Sequence, residues 1–162
     1  MNEYEIMAEI GCGMCLPDEK KYKIKITIND YSMITDNPVE VKPGYCRWNK
    51  RFDMQTMQCV YTSHLELDNV YVYLMEGNKP ICFYKGECTD FENPDPTFQW
   101  FAFKNDLAIG SVKDSYKAGL FSMKLSIHHK TKNGPCDFKQ FNAWKKPPPK
   151  RLSSWKIRAY IY

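Results

Sequence analysis

The sequence has no apolar run approaching the roughly 18 to 20 residues that a bilayer-crossing helix needs. Its opening, Met1 to Ile10, carries three glutamates where a secretion signal would have a basic start and a long apolar stretch. Neither a membrane span nor an export signal is expected. Catalytic signatures are also missing: there is no Gly-x-Ser-x-Gly elbow, no Gly-x-Gly-x-x-Gly loop and no His-Glu-x-x-His helix. Histidine is scarce, with His64 in a polar stretch and His128-His129 closing an apolar alternation, and Asp68, Asp90 and Asp106 are too scattered to act as paired carboxylates. Cys12 and Cys15 have the spacing of half a zinc site, but no second close pair accompanies them. No enzyme, metal or other cofactor is expected.

What is present is globular composition: 162 residues, 43% hydrophobic, 15% aromatic and 26% charged, enough for one buried core. The seven cysteines make an odd number, and several sit inside apolar runs such as Cys59-Val60-Tyr61 and Ile81-Cys82-Phe83. Reduced thiols packed as small hydrophobes, in a cytoplasmic protein, are the reading. A rival is a secreted β-sandwich lipid carrier whose cysteine pairs staple two sheets, which would give Cys136 a role.

The formal net charge of +4 conceals an asymmetry. Val112 to Tyr162 holds twelve Lys or Arg against Asp114 and Asp137, a net of +10, which leaves about -6 for the first 111 residues. Concentrated positive charge attracts a polyanion, either an anionic membrane surface or nucleic acid. The aromatic set Tyr71, Tyr73, Phe83, Tyr84, Phe98, Trp100, Phe101 and Phe103 lies at strand spacing among acidic residues, which favours core and sheet packing over base stacking. Nucleic acid is therefore not expected as a partner.

Alternation is the dominant local signal. Tyr22, Ile24, Ile26 and Ile28 share one face of a strand, and Lys21, Lys23, Lys25 and Thr27 share the other. Tyr4 to Ile10 reads as a preceding strand that exits at Gly11-Cys12-Gly13. Further strands are expected at Val39 to Val41, within Trp48 to Met57, at Val70 to Leu74, at Ile81 to Tyr84 across the Glu76-Gly77-Asn78 turn, and at Leu120 to Ile127. Helix signals are weak. The segment 131–154 reads as a basic, proline-containing linker, and Trp155 to Tyr162 as a final strand or the opening of a following domain. Seven or eight short strands divided by Gly, Pro and Asn turns predict an all-β, antiparallel, eight-stranded sandwich over residues 1–130.

The order of these elements resembles a C2 domain, and in particular those of the ferlin family of multi-C2 membrane-trafficking proteins. The resemblance covers about residues 3 to 130 and rests on Tyr4 to Leu16 as first strand and first top loop, Lys21 to Ile28, the Trp48-Asn49-Lys50-Arg51-Phe52 element, Leu67 to Leu74 with its Gly77 turn, and Ala118 to Ile127. It implies a module for peripheral association with membranes in vesicle trafficking or exocytosis. Calcium-binding members hold the ion with clustered aspartates on end loops, because a hard cation needs six to eight oxygen ligands. Here the first loop offers Asp18 and Glu19, and Met75-Glu76-Gly77-Asn78 stands where an Asp-x-Asp pair is expected. A calcium-independent member is implied.

The candidate site is then a basic face. Lys21, Lys23 and Lys25 form a ladder spanning about 13 Å at roughly 3.3 Å per residue, with Lys117 and Lys124 expected on the same side and Met14 and Leu16 as apolar residues touching the bilayer. The expected partner is an anionic phospholipid membrane. The alternative is docking to a neighbouring domain or protein partner without direct lipid binding.

Overall fold

The computed structural model describes residues 2–59, 67, 69–105 and 119–135. Two antiparallel sheets face each other. Along the chain the strands are β1 (Asn2–Met14), β2 (Lys23–Ile28), β3 (Tyr31–Ile34), β4 (Glu40–Lys42), β5 (Tyr45–Arg51), β6 (Gln55–Cys59), β7 (Asn69–Glu76), β8 (Lys79–Glu87), β9 (Gln99–Ala102), β10 (Lys104–Asn105) and β11 (Leu120–His129). Cys88–Phe91 forms a 3-10 turn, and a single helical turn, α1 (Lys130–Asn133), follows β11. One sheet has the order β4-β5-β1-β11-β9 with β6 also paired to β1, and the other has the order β10-β8-β7-β2-β3.

The expected sandwich is therefore present, with the strands more finely divided than the eight anticipated. The fourth and fifth strands meet at Gly44, whose φ of 68° suits a residue without a side chain. β1 does not stop at Gly11. It continues to Met14 through a register shift between Ile10 and Gly13, where Cys12 N–H donates to Ser122 Oγ at 3.0 Å. A Cβ at Gly11 would collide with that same Ser122 Oγ, so the glycine serves close strand approach and not chain exit. β3 is an element that alternation did not show, since four residues with one buried side chain, Met33, give too short a pattern.

Alternation sets the core. Ile24, Ile26 and Ile28 of β2 and Val70, Val72 and Leu74 of β7 meet Ile6, Ala8 and Ile10 of β1 and Phe121, Met123, Leu125 and Ile127 of β11. Each fully buried aliphatic or aromatic side chain contributes about 1.5–3 kcal/mol. Phe121 is the aromatic centre, with ring centroids of Phe103 at 4.5 Å, Phe101 at 5.4 Å and Tyr84 at 5.8 Å. Trp48 is 4% exposed, and its Nε1–H donates to Tyr22 O at 2.9 Å, tying β5 to the start of β2 across the sandwich. Of the aromatic set expected in core and sheet packing, Tyr84, Phe101 and Phe103 pack in or against the core. Tyr71 and Tyr73 instead lie on the opposite side of β7 from its core residues, and Trp100 is 42% exposed.

Thr131 Oγ1 accepts from Glu3 N–H at 2.8 Å, so the sequence just past residue 130 lies against β1. The remainder of the expected linker, and Trp155 to Tyr162, lie outside the described residues. No helix among the described residues is long and apolar enough to cross a membrane.

Candidate functional site

β2 places Lys23, Lys25 and Thr27 on the outward side of the five-stranded sheet while its isoleucines fill the core. Lys21 is exposed two residues before the strand. Sheet register then decides what stands beside them. Lys25 lies opposite Tyr73 on β7 and Ile34 on β3, Tyr73 lies opposite Phe83, and Phe83 lies opposite Lys104. The next row reads Ser32, Thr27, Tyr71 and Lys85. The Tyr71 and Tyr73 rings are stacked at 6.1 Å, and Lys85 Nζ stands 5.9 Å from the Tyr71 centroid.

The result is a solvated face on which ammonium groups alternate with aromatic rings. Among the described residues, none of Lys21, Lys23 and Lys25 forms an ion pair, although Lys20, Lys42, Lys50 and Lys130 all do. Unneutralised cations on a shared surface sum their fields, and tyrosine presents an apolar ring with a polar tip suited to a wet interface. Sequence alternation located the lysines. It did not show Tyr71, Tyr73, Lys85 or Lys104 beside them, because that neighbourhood comes from pairing between distant strands.

Two expected members of the site are elsewhere. Lys124 belongs to β11 in the six-stranded sheet, opposite Glu9, with its Nζ 4.8 Å from the Phe98 centroid. Burial pulls its pKa below the ordinary lysine value, partly offset by Glu9. It is on the other sheet from the ladder because β11 pairs with β1 and not with β2. Leu16 is 5% exposed, held inward by contacts with Gly13 and Gly119 and by its N–H to Gly44 O at 3.0 Å. It packs the core and does not face outward. Met14, opposite Leu120 and Tyr45 at the end of β1, remains half-buried at the sandwich tip. Lys117 lies outside the described residues.

At that tip, Lys20 Nζ sits 2.8 Å from Glu76 Oε1 and 3.8 Å from Asp18 Oδ2, linking the first loop to the exit of β7. The hydrogen bond to Glu76 raises the Lys20 pKa. Among the described residues, no group of three or more His, Cys, Asp or Glu side chains is arranged to hold a metal ion. Likewise, no disulfide joins two of the six described cysteines.

Comparison with solved structures places this architecture. The chain is similar to a C2 domain of plant extended synaptotagmin 1, with TM-score 0.51 and 12% identity over 77% of this chain and 94% of that one. It is also similar to a structure holding two C2 domains of extended synaptotagmin 2, with TM-score 0.56 and 10% identity over 80% of this chain. In that case it spans 40% of the larger chain. No protein-family model matches the sequence, and no curated protein does either. The fold is that of a C2 domain. Nothing in these likenesses points to the ferlins within that class, so that part of the resemblance rests on motif order alone.

Proposed function

We propose that the chain is a non-catalytic C2-like module that attaches peripherally to anionic membranes through the outer face of its five-stranded sheet. The observation that carries this reading is the row Lys21, Lys23 and Lys25, on a solvated face, with no carboxylate partner among the described residues and beside a stacked tyrosine pair. A lysine held near an anionic leaflet contributes about 1 kcal/mol. Three such residues give reversible attachment on the order of 3 kcal/mol, with Lys85 and Lys104 extending the same field. The setting is cytoplasmic, in vesicle trafficking or exocytosis, as the C2 likeness suggests.

Attachment is calcium-independent. The ammonium of Lys20 lies between Asp18 and Glu76 and neutralises the carboxylates of the first loop and the β7 exit that a divalent ion would otherwise draw on. Met14 contributes apolar surface at the tip.

A second reading is docking to an acidic protein partner or neighbouring domain. Ile34, 49% exposed beside Lys25, favours it, because an exposed apolar side chain suits a protein interface more than a headgroup layer. Co-sedimentation with phosphatidylserine-containing and with neutral phosphatidylcholine vesicles separates the two. Wild type is expected to pellet with the anionic vesicles only, and a variant with Lys21→Gln, Lys23→Gln and Lys25→Gln to stay in solution. Full binding by the variant would falsify the ladder assignment, and no binding by either protein favours the docking module.

A further inference from the structure

We propose that the edge strand β3 is a docking site for an extended segment of another protein, with acidic and apolar residues in alternation, which adds to the five-stranded sheet as a further strand. The inference goes beyond the membrane reading, which concerns the flat of that sheet and not its edge.

β3 is the last strand of its sheet, with β2 on one side and no described strand on the other. Thr35 N–H donates to Ile24 O at 2.9 Å, so those two residues form a hydrogen-bonded pair. Antiparallel pairs alternate, which makes Met33 and Ile26 a bonded pair and leaves Ile34 with Lys25, and Ser32 with Thr27, as non-bonded pairs. Ile34 and Ser32 therefore turn their N–H and C=O groups away from β2, towards the open edge. Two donors and two acceptors, repeated at every second residue, are the template that a further strand reads. Among the described residues, no backbone group bonds to them from that side.

Sheet edges are ordinarily guarded by charge, proline or a bulge. Of the other edge strands, β4 carries Glu40 and Lys42, and β10 begins at Lys104. In β3 the exposed side chains are Ser32 and Ile34, the latter 49% exposed, and its register with β2 runs without a shift. A cleft of about 240 Å³ lies along it, between β3 and the residues Lys50, Arg51 and Phe52 at the end of β5, with Asp53 at its margin. An added strand would set alternate side chains into that cleft, beside Tyr31 and Phe52, and the others on the outer face beside Ile34 and Ser32.

Charge selects the occupant. A residue opposite Ile34 shares a row with Lys25, which has no ion-pair partner among the described residues. Two strand spacings, about 10 Å, separate that residue from Lys25, a gap that a glutamate and a lysine side chain bridge together. The methylenes of such a glutamate would cover the exposed Ile34. The cations of the cleft are already matched, Lys50 by Asp36 at 3.0 Å and Arg51 by Glu9 at 3.4 Å, which leaves the cleft to apolar side chains. A second copy of this chain fits less well. The antiparallel register that bonds Ser32 of each copy to Ile34 of the other sets Asp30 opposite Asp36, both exposed, and like charges directly opposite are destabilising.

The probe is a synthetic peptide with blocked ends, Val-Glu-Val-Thr-Val-Lys, which when paired antiparallel sets its Glu opposite Ile34, its Thr opposite Ser32 and its Lys opposite Asp30. Added in excess to the 15N-labelled full chain, it should slow amide hydrogen exchange at Ser32 and Ile34 by about tenfold. Met33, already bonded to Ile26, should not change. The same peptide with every backbone nitrogen methylated should not bind, and replacing its Glu by Lys should weaken binding about fivefold. Ser32→Pro removes one edge donor while leaving the bonds to β2, and should abolish peptide binding without altering attachment to anionic vesicles. The methylated peptide makes the same point on the unaltered chain, whatever that variant does to folding. No protection at Ser32 and Ile34 overturns the proposal, as does equal binding by the methylated or the Glu-to-Lys peptide. Protection of those amides that grows with protein concentration alone assigns the edge to a second copy and also overturns it. None of these results bears on the membrane reading, which the Lys21, Lys23 and Lys25 variant tests separately.

Discussion

Lys25 and Met7 occupy equivalent positions, each within a central strand with its side chain directed away from the core. Lys25 is half-buried among Tyr73 and Ile34 on a face open to water, whereas Met7 is 4% exposed opposite Ser126. Their carboxylate environments differ in the same sense. Lys21, Lys23 and Lys25 have no ion-pair partner among the described residues, while Glu3, Glu5 and Glu9 on β1 are all met by Lys130 or Arg51. Two sheets with the same alternation thus present one face whose lysines are unpaired among the described residues and one whose glutamates are met by cations. Strand period fixes the side on which a residue projects. What lies over that side is decided by the rest of the chain.

The largest effect should come from exchanging the two residues between faces. Met7→Lys places an ammonium where water is excluded and should lower unfolding free energy by about 3 kcal/mol or more in a denaturant titration. Lys25→Met should change it by no more than about 0.5 kcal/mol. Similar costs for the two would erase the distinction between the faces.

Next in size is the loss of lipid affinity when Lys21, Lys23 and Lys25 are all glutamine. At about 1 kcal/mol per lysine this is roughly a 100-fold weakening on anionic vesicles. A smaller change follows from Gly11→Ala, whose new methyl meets Ser122 Oγ where β1 and β11 approach closely. Overpacking there should cost about 1–3 kcal/mol in thermal or chemical unfolding.

Cys82, buried beneath the five-stranded sheet, gives a pH test of that sheet's inner side. Burial pushes its thiol from 9.0 up to about 12. Between those values the unfolded chain has released a proton that the folded chain retains, so this contribution to stability is complete below pH 9 and falls as pH rises towards 12. Cys82→Val should flatten this decline when unfolding is followed across that range. The smallest effect concerns the tip. With Lys20 between Asp18 and Glu76, replacing calcium by a chelator should leave anionic-vesicle binding unchanged.

Much of this architecture is legible in the sequence. The period-two runs at Tyr22 to Ile28, Val70 to Leu74 and Leu120 to Ile127 became β2, β7 and β11, and the Gly77 turn joins β7 to β8. The lysine ladder was legible for the same reason, since residues two apart share a face. Membership of a sheet was not. Lys124 alternates as regularly as Lys25, yet β11 pairs with β1, a partner more than a hundred residues away in the chain. Leu16 reads as an exposed loop residue until Gly119, about a hundred residues further along the chain, joins the nearby Gly13 in leaving the space that it fills. β3 escaped notice because four residues carry too little pattern, and strand spacing alone does not say whether Tyr71 and Tyr73 pack in the core or on the outer side of a sheet.

Anionic-vesicle titration of two triple variants that remove the same charge from different faces gives the most direct test. One carries Lys21→Gln, Lys23→Gln and Lys25→Gln. The other carries Lys42→Gln, Lys50→Gln and Lys130→Gln, all residues paired with carboxylates. The ladder variant should lose affinity by roughly two orders of magnitude, while the second retains nearly all of it. Equal losses would mean that net charge and not this face drives attachment, contradicting the assignment.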